Sequence, residues 1–327
     1  MNRFSDENIA EALSPRIQSL IVLPTEKCNF RCAYCYEDFS IGRMQAPVIR
    51  GLNNFIGNRA PHIDRLSISW FGGEPLLAQS VIREVGRHAH SVSGLHGVEF
   101  RGGMTTNGYF LTAKLLEELL EISHSEYQIT LDGDREWHDK TRITAKKEGT
   151  FEKIWKNLVS YKELPFNFDI SLRLHLHQEN VSSMRRLYSM LAEHLLSDKR
   201  FSASFHKVSN LGGPSEVFPI VPLDRKSYLD AIDYVMQGYL PTRPGKPLSE
   251  EHLDNYICYA SKPNSLVIRA NGGVAKCTVA LNDERNDIGV LQENGELDIK
   301  NEKLRKWMHG FPELSAQSLG CPLSTLT

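Results

Sequence analysis

The chain has 327 residues, enough for one large α/β domain or two ordinary ones. Its 38 basic and 40 acidic side chains give a net charge of −2, so it lacks the basic excess of a nucleic-acid-binding surface. No apolar run approaches the roughly 20 residues that span a bilayer, and the first residues lack the apolar core of a secretory signal. We therefore expect a cytoplasmic protein without a nucleic-acid or membrane partner.

The six cysteines form two groups, which in a reducing compartment are not expected to be disulfides. The groups are Cys28, Cys32 and Cys35, and Cys258, Cys277 and Cys321. The first group lies in a polar stretch where three thiolates can surround one soft metal centre. Zinc would need a fourth ligand, and none is near in sequence. A cubane iron–sulfur cluster held by three cysteines keeps one iron free, so the spacing favours a cluster.

Strand-like and helix-like patterns alternate along most of the chain. The predicted strands are 18–24, 65–71, 97–104, 126–132, 168–177 and 201–207. The predicted helices lie near 46–57, 78–91, 111–123, 150–163, 181–196 and 224–238. This alternation indicates parallel βαβ units, and hence an α/β barrel or a doubly wound sheet.

A proline-rich stretch follows the last predicted helix. Residues 239–247 hold three prolines and a glycine, which is typical of a linker. Beyond it, the runs 265–270 and 274–281 flank Asn271-Gly272-Gly273, which predicts a β-hairpin. The predicted division is a domain at 1–238, a linker at 239–250 and a second domain at 251–327.

Polar and apolar residues alternate within the later strands. In 168–177 the polar Arg173, His175 and His177 alternate with leucines, and His206 has a similar setting in 201–207. Period-2 alternation gives each strand one polar face. If helices cover the apolar face, these four residues line a chamber for a polar ligand and are the catalytic candidates. An antiparallel sheet with a solvated face is the alternative.

Short motifs follow successive predicted strands. Gly72-Gly73-Glu74-Pro75 permits close backbone approach to a ligand and offers a carboxylate to an ammonium group. Asn107 and the Thr130–Asp132 segment follow the next two strands, and Asp132 is able to accept hydrogen bonds from a ribose or to form an Asx turn. Barrel enzymes assemble their sites at this end of the strands.

Together these motifs resemble the radical S-adenosylmethionine (SAM) superfamily over about residues 18–210. Cys28-x3-Cys32-x2-Cys35 is similar to its cluster motif, and the Gly-Gly-Glu-Pro segment to its SAM-binding motif. The resemblance implies a partial (β/α)6 barrel and a 4Fe–4S cluster whose open iron binds the amino and carboxylate groups of SAM. It also implies a 5′-deoxyadenosyl radical that abstracts hydrogen from the substrate. The implied SAM-binding residues are Gly72, Gly73, Glu74, Pro75, Asn107, Thr130, Asp132, Arg142 and Tyr34.

The C-terminal cysteines resemble the auxiliary-cluster region, called SPASM or twitch, of the peptide-modifying branch. The resemblance lies in Cys258-x13-Gly272-x4-Cys277 and in Gly320-Cys321-Pro322. It implies one auxiliary iron–sulfur cluster on Cys258, Cys277 and Cys321, with its fourth ligand undefined. Three cysteines of the complete motif are replaced by Met308, Phe311 and Gln317, so no second auxiliary cluster is expected. Three core thiols are the alternative.

The resemblance implies a maturase of a ribosomally made peptide that forms a carbon–carbon or carbon–heteroatom cross-link, of cyclophane type above all. Sulfatase-maturing relatives carry an aspartate base after the cysteine matching Cys277, whereas this chain has Thr278. A dehydrogenase or sulfatase-maturase-like oxidase remains an alternative if His175, His177 or Asp283 replaces that base. The remaining alternatives are a peptide epimerase and, as a protein without catalysis, an iron–sulfur sensor or electron-transfer module.

Two protein partners are expected besides the peptide. One is an external electron donor such as flavodoxin or ferredoxin. The second expectation concerns the leader of the peptide, since only a short segment precedes the first predicted strand. Another surface or a separate leader-binding protein would recognise it, unless the substrate has no leader.

Overall fold

The computed structural model describes residues 4–209, 211, 220–239 and 256–326. Its strands are β1 (Ile17–Val22), β2 (Phe30–Cys32), β3 (Arg65–Trp70), β4 (Glu99–Thr106), β5 (His124–Leu131), β6 (Arg142–Thr144), β7 (Asp169–Leu176), β8 (Phe201–Lys207), β9 (Ser265–Ile268), β10 (Gly273–Ala275), β11 (Gly289–Leu291) and β12 (Leu297–Ile299). Its α-helices are α1 (Asp6–Leu13), α2 (Ala46–Arg59), α3 (Gln79–His96), α4 (Ala113–Leu120), α5 (Arg135–Thr141), α6 (Phe151–Ser160), α7 (Val181–His194), α8 (Arg225–Met236), α9 (Asn301–Trp307) and α10 (Ala316–Gly320).

The predicted alternation of strands and helices is confirmed. The six predicted strands are β1, β3, β4, β5, β7 and β8, and the six predicted helices are α2, α3, α4, α6, α7 and α8. Local chemistry explains where several of them begin and end. Thr112 accepts a hydrogen bond from the Leu115 amide at the start of α4, and α3 ends at Gly97, whose φ of 67° suits glycine.

The chain divides into two compact units. The first contains the described parts of 1–27, 40–103 and 248–327, and the second those of 28–39 and 104–247. Strand β4 is divided between them. The predicted boundaries at 238 and 250 stay a prediction, because residues 240–255 lie outside the described ranges.

The first unit is built on a sheet in the order β12-β11-β10-β9-β1-β3. Strand β1 pairs in parallel with both β3 and β9, while β9 to β12 pair antiparallel in sequence order. The predicted hairpin is confirmed as β9 and β10. Leu23, Val267 and Ala275 form one buried cluster here, so residues far apart in sequence share a core.

The second unit contains the parallel sheet β5-β7-β8 and the antiparallel pair β2-β6. Along β7 the apolar residues are fully buried while the polar ones between them are partly exposed, as period 2 requires. The buried set is Ile170, Leu172, Leu174 and Leu176. The alternative of an antiparallel sheet is wrong for these strands, because β5, β7 and β8 pair in parallel. The predicted α/β class with a central parallel sheet is confirmed.

Across the described ranges, no helix combines the length and the apolar character needed to cross a membrane.

Gly51, inside α2, provides a test of the packing in the first unit. A Cβ atom there would lie 2.5 Å from the backbone oxygen of Gln292, whereas one at Gly57 of the same helix would lie 3.9 Å from its nearest neighbour. Gly51→Ala should lower the free energy of unfolding by about 1–3 kcal/mol despite the better helix propensity of alanine. Gly57→Ala should raise it by up to about 1 kcal/mol. Urea unfolding measures both, and equal effects of the two variants would refute the predicted contact.

Candidate active site

The loop that carries the first three cysteines lies in the second unit and is fixed by backbone hydrogen bonds. β2 pairs with β6 so that Cys32 lies opposite Arg142, and the Ala33 amide donates to the Thr141 oxygen at 2.9 Å. The Cys35 amide donates to the Cys32 oxygen at 3.2 Å, which closes the turn. The amide of Phe30 donates to the Cys28 sulfur at 3.3 Å.

The chemistry of this loop fits a bound iron–sulfur cluster. Burial raises the pKa of the Cys32 thiol and raises that of Cys35 to about 12, so without metal both stay protonated. Binding to iron deprotonates such thiols outright. The Nε of Arg142 is buried beside the loop and has no hydrogen-bond partner among the described residues. An unused donor therefore lies beside the three predicted cluster ligands.

Tyr34, between the last two cysteines, anchors the loop to the sheet. Its hydroxyl donates to the Asp132 carboxylate, with both oxygens at 2.8 Å, and accepts from Nη1 of Arg142 at 2.8 Å. Burial raises the pKa of Tyr34 well above its usual value, which keeps the phenol neutral. Nδ1 of His175 lies 3.1 Å from the same hydroxyl. One phenol therefore links the cysteine loop to β5, β6 and β7.

Asp132 is almost fully buried, and its carboxylate is occupied. The Thr141 hydroxyl donates to Oδ2 at 2.7 Å, beside the bonds from Tyr34. Burial raises the pKa of Asp132, while the Arg142 charge opposes that shift. The structure thus shows Asp132 as the anchor of the cysteine loop, and its predicted contact with a ribose stays a prediction.

Several further residues support this network, and no sequence motif pointed to them. Nδ2 of Asn180 donates to the backbone oxygens of Asp132 and His175, both at 2.7 Å, and so joins the ends of β5 and β7. Asn29 accepts a hydrogen bond from the predicted site residue Asn107 at 2.9 Å. Thr141 was likewise missed, since a lone threonine carries no signal of its own.

Three of the four catalytic candidates, Arg173, His175 and His206, are neighbours on the polar face of β7 and β8. The parallel register places Arg173 between Thr130 and Ser204, and His175 beside His206 in the next row. Burial lowers the pKa of His175 well below its usual value and that of His206 to about 4, so both are neutral.

His177 has a setting of its own among these candidates. Its Nε2 accepts from Nε1 of Trp137 at 3.2 Å, and its Nδ1 lies 2.8 Å from the Glu179 carboxylate. Both ring nitrogens of His177 are therefore engaged by these two side chains.

The Gly-Gly-Glu-Pro motif lies in the first unit, directly after β3. Gly72 has a φ of 108°, and a Cβ at Gly73 would lie 2.6 Å from the Lys27 oxygen. The close approach that these glycines permit is therefore to residues 25–27, the segment that precedes Cys28 in the chain. Glu74 is fully buried, and one of its carboxylate oxygens accepts from the Leu76 amide at 3.0 Å. Its predicted contact with SAM stays a prediction.

The second group of cysteines, in the first unit, is brought together. Burial raises the pKa of Cys258, and the neighbouring Cys277 and Cys321 thiols raise it further. The Cys258 amide donates to the Leu319 oxygen at 2.8 Å, which fixes the two segments to each other. The Tyr256 phenol is hydrogen bonded to the Cys258 sulfur, and the Tyr259 phenol to the Cys277 sulfur.

The three residues that replace cysteines are accommodated by the fold. Phe311 packs against a buried apolar cluster of Phe4, Ala12, Ile257 and Leu319. Met308 follows the last turn of α9, and Gln317 lies within α10.

Across the described residues, no group of three or more His, Cys, Asp or Glu side chains is arranged to hold a single metal ion. A cubane places each thiolate on a different iron, so its ligands stand further apart than those of one ion.

The sequence profile of the radical SAM superfamily matches residues 22–191 of this chain. The chain belongs to the radical SAM superfamily. This radical SAM protein is therefore an enzyme that uses SAM and a 4Fe–4S cluster, as the cysteine loop predicted.

One relative of known role matches most of the chain and another matches a third of it. It is 23% identical over 318 residues to a cysteine-type anaerobic sulfatase-maturating enzyme from Clostridium novyi, covering 88% of this chain and 80% of that protein. It is 35% identical over 115 residues to the GTP 3′,8-cyclase of Lactiplantibacillus plantarum, covering 33% of this chain and 31% of the cyclase.

Solved structures show the same fold at lower identity. The chain is similar to native anSMEcpe with bound AdoMet and Cp18Cys peptide, with a TM-score of 0.65 at 19% identity, over 92% of this chain and 84% of that one. It is also similar to SuiB of Streptococcus suis bound to the precursor peptide SuiA, with a TM-score of 0.62 at 14% identity, over 94% and 70% of the two chains. These likenesses support the predicted partial barrel.

His138 makes the second unit sensitive to acid. Its Nδ1 accepts from the Asp132 amide at 3.4 Å, and its Nε2 lies 3.1 Å from the Thr150 hydroxyl, which itself donates to the Arg142 oxygen. The ring is therefore neutral, with its proton on Nε2. Burial lowers the pKa of His138 well below 6.5, so below pH 6.5 the unfolded chain binds a proton that the folded chain does not. The stability from neutral His138 is thus complete above pH 6.5 and is lost as the pH falls.

We expect the free energy of unfolding to fall by about 1 kcal/mol per pH unit more steeply in the wild type than in His138→Gln between about pH 5 and 6.5. Glutamine keeps polar atoms at the site and does not titrate. Urea unfolding at a series of pH values measures both slopes, and identical slopes would contradict the assigned neutral ring.

Proposed function

We propose that this radical SAM enzyme is a peptide maturase that forms a carbon–carbon or carbon–heteroatom cross-link, of cyclophane type above all, in a ribosomally made peptide. Two similar structures support a peptide substrate, since anSMEcpe is bound to the Cp18Cys peptide and SuiB to its precursor peptide SuiA. When bound, SAM and its cluster supply the radical that removes a hydrogen atom from the substrate.

The observation that carries the choice of cross-linking is the residue after Cys277. Thr278 stands where oxidising relatives carry an aspartate base, and it is buried with its hydroxyl 2.9 Å from the Tyr259 phenol. A threonine hydroxyl is too weak a base to take a substrate proton by itself. Asp283, which could replace it, is paired with Arg285 at 2.6 Å, and this hydrogen bond lowers the pKa of Asp283. A reaction without a carboxylate base at this position is therefore favoured.

The polar face of β5, β7 and β8 supplies the proposed substrate surface. Arg173, His175 and His206 are partly exposed on it, and the two imidazoles are neutral. Neutral imidazoles accept hydrogen bonds or protons without adding positive charge. We assign Arg173 and His206 to orienting the peptide, and His175 to positioning Arg173, to which its Nε2 is hydrogen bonded. Of the four candidates, His177 is assigned a supporting role through Trp137 and Glu179.

Cys258, Cys277 and Cys321 would hold one auxiliary cluster, which supplies an acceptor for the electron left after bond formation. The Cys277 and Cys321 thiols both raise the pKa of Cys258, and Cys321 also raises that of Cys277, which supports this ligand set. The phenols of Tyr256 and Tyr259 at two of the sulfurs support it further, because hydrogen bonds to sulfur tune the potential of such clusters. The proposed partners are an external donor such as flavodoxin or ferredoxin and a separate leader-binding protein.

A sulfatase-maturase-like oxidase is the second candidate. Similarity to the sulfatase-maturating enzyme of Clostridium novyi extends over 88% of this chain, which favours it. This reaction would leave a carbonyl group on the peptide rather than a new bond between two residues.

Replacement of the two cysteine groups should have different effects. With Cys28, Cys32 and Cys35 changed to Ala, the reconstituted protein should form no 5′-deoxyadenosine from SAM and dithionite, because the ligands of the SAM-binding cluster are gone. With Cys258, Cys277 and Cys321 changed to Ala, iron should fall from about eight to about four atoms per chain while the first cluster remains.

Iron analysis and chromatography of the nucleoside product check both variants. Retained cleavage in the first variant would refute the assigned SAM site. About four irons per chain in the wild type would show that the second group of cysteines binds no cluster and consists of core thiols.

The product distinguishes the two candidate reactions. Co-expression with the small open reading frame beside the gene, followed by tandem mass spectrometry, should show the loss of two hydrogen atoms. Fragment ions should be missing between the two linked residues, and hydroxylamine should not react with the product. A hydroxylamine adduct would support the oxidase instead, and conversion without a change in mass would indicate epimerisation.

A further inference from the structure

Arg173 lies on the polar face of the sheet in the second unit. It lies in β7, and the register with β5 and β8 puts Thr130 and Ser204 on either side of it. The leucines before and after it in the strand are fully buried, so its side chain belongs to the partly exposed face. An arginine here is held by the sheet rather than by a mobile loop.

The guanidinium group is oriented by His175. Nε of Arg173 donates to Nε2 of His175 at 2.9 Å, which leaves the imidazole proton on Nδ1. That nitrogen faces the Tyr34 hydroxyl at 3.1 Å and Oδ1 of Asp132 at 3.5 Å. The imidazole is thus fixed at both ends, and it fixes the plane of the arginine fork.

Arg173 differs from two other half-buried arginines, Arg200 and Arg269, because no carboxylate pairs with it among the residues that the structure describes. Arg200 pairs with Asp198 at 2.7 Å, and Arg269 pairs with Glu26 at 2.6 Å. Within the described part of the chain, no carboxylate lies within 4.0 Å of Arg173, and its two terminal nitrogens have no hydrogen-bond acceptor. A partly buried cation without a counter-ion is costly, which favours the binding of an anion.

The groups around Arg173 do not neutralise its charge. Burial and the Arg173 charge lower the pKa of His206 to about 4, so this neighbour is neutral. Tyr34, Tyr36 and Tyr228 also act on the guanidinium, and each is a phenol rather than a carboxylate. Arg142 is a second cation, and its own charge is shared with Asp132 through Tyr34.

We propose that Arg173 is a carboxylate-recognition site for the peptide substrate, which binds an acidic side chain or the C-terminal carboxylate through the two free ends of its fork. This inference rests on the proposed peptide maturase. A guanidinium fork matches a carboxylate with two parallel hydrogen bonds. The carboxylate of SAM is assigned elsewhere, because Arg142, not Arg173, lies opposite Cys32 in the cysteine loop.

A protection experiment tests the site without relying on catalysis. The cluster-loaded enzyme is treated with butanedione, and modification of Arg173 is followed by peptide mapping. N-acetyl-glutamate N-methylamide, with only a side-chain carboxylate, or N-acetyl-glycine, with only a terminal one, should protect Arg173. The uncharged N-acetyl-glutamine N-methylamide should not. The protecting compound identifies the source of the carboxylate.

Two results of that experiment would overturn the site. One is the absence of protection by either carboxylate. The other is protection by SAM alone together with a weaker affinity of Arg173→Gln for SAM, which would give the carboxylate of SAM to Arg173.

A kinetic experiment uses the peptide that co-expression identifies. Arg173→Gln should raise its KM roughly 10- to 100-fold, because a hydrogen-bonded charge pair is lost. Replacing the recognised carboxylate of the peptide by an amide should raise KM equally, with no further rise when both changes are combined. Arg173→Lys should have an intermediate KM, since it keeps the charge and loses the fork.

Arg186→Gln is the matched control, because it removes an exposed arginine of the same unit and should leave KM unchanged. Independent, additive effects of the enzyme and peptide changes would refute the pairing. Protection in the butanedione experiment without any conversion of the peptide would place the failure in the proposed reaction and not in the carboxylate site.

Discussion

The buried bond between Tyr34 and Asp132 is the constraint on which the second unit depends. A carboxylate that is 1% exposed needs donors, and this one receives them from the Tyr34 and Thr141 hydroxyls, with Arg142 supplying the compensating charge through Tyr34. Because Tyr34 lies between two cysteines, satisfying Asp132 also fixes the cysteine loop. The same phenol contacts His175, which orients Arg173. One chain of hydrogen bonds therefore connects the residues that would hold a cluster with those that would face a substrate.

The three C-terminal cysteines differ from one another in exposure to solvent. Cys277 is buried, Cys258 is half-buried and Cys321 is exposed, so a cluster on these thiols would have one side open to solvent. Nearby, Lys276 is completely buried with its ammonium group on two backbone oxygens, those of Lys262 and Ser265, both at 2.5 Å. Burial lowers the pKa of Lys276 to about 7. The segment after β10, which carries Cys277, is thus fixed by buried polar contacts.

Much of this could be predicted from sequence because the signals were periodic or closely spaced. The alternation in β7 predicted its polar face, and three cysteines within eight residues predicted a cluster loop of the family that the comparisons show. Other features depend on contacts that no local pattern encodes. Asn180 and Thr141 are single polar residues whose roles appear only when β5 and β7 are side by side. For Gly72 and Gly73 the sequence predicts close backbone approach to a ligand, whereas the approach that the structure shows is to residues 25–27, and the contact with a ligand stays a prediction.

The parallel pairing of β9 with β1 has a consequence for the order of folding. Gln18 and Asn264 are hydrogen bonded although 246 residues separate them, and both neighbours of β1 in the sheet come from later in the chain. On the ribosome, one side of β1 stays an open strand edge until nearly all of the described sequence has been made. Such late, non-local pairing is slow and leaves the edge exposed to other chains in the meantime. Strand β9 thus protects this edge of β1 in the folded protein, but only after more than 260 residues have been made.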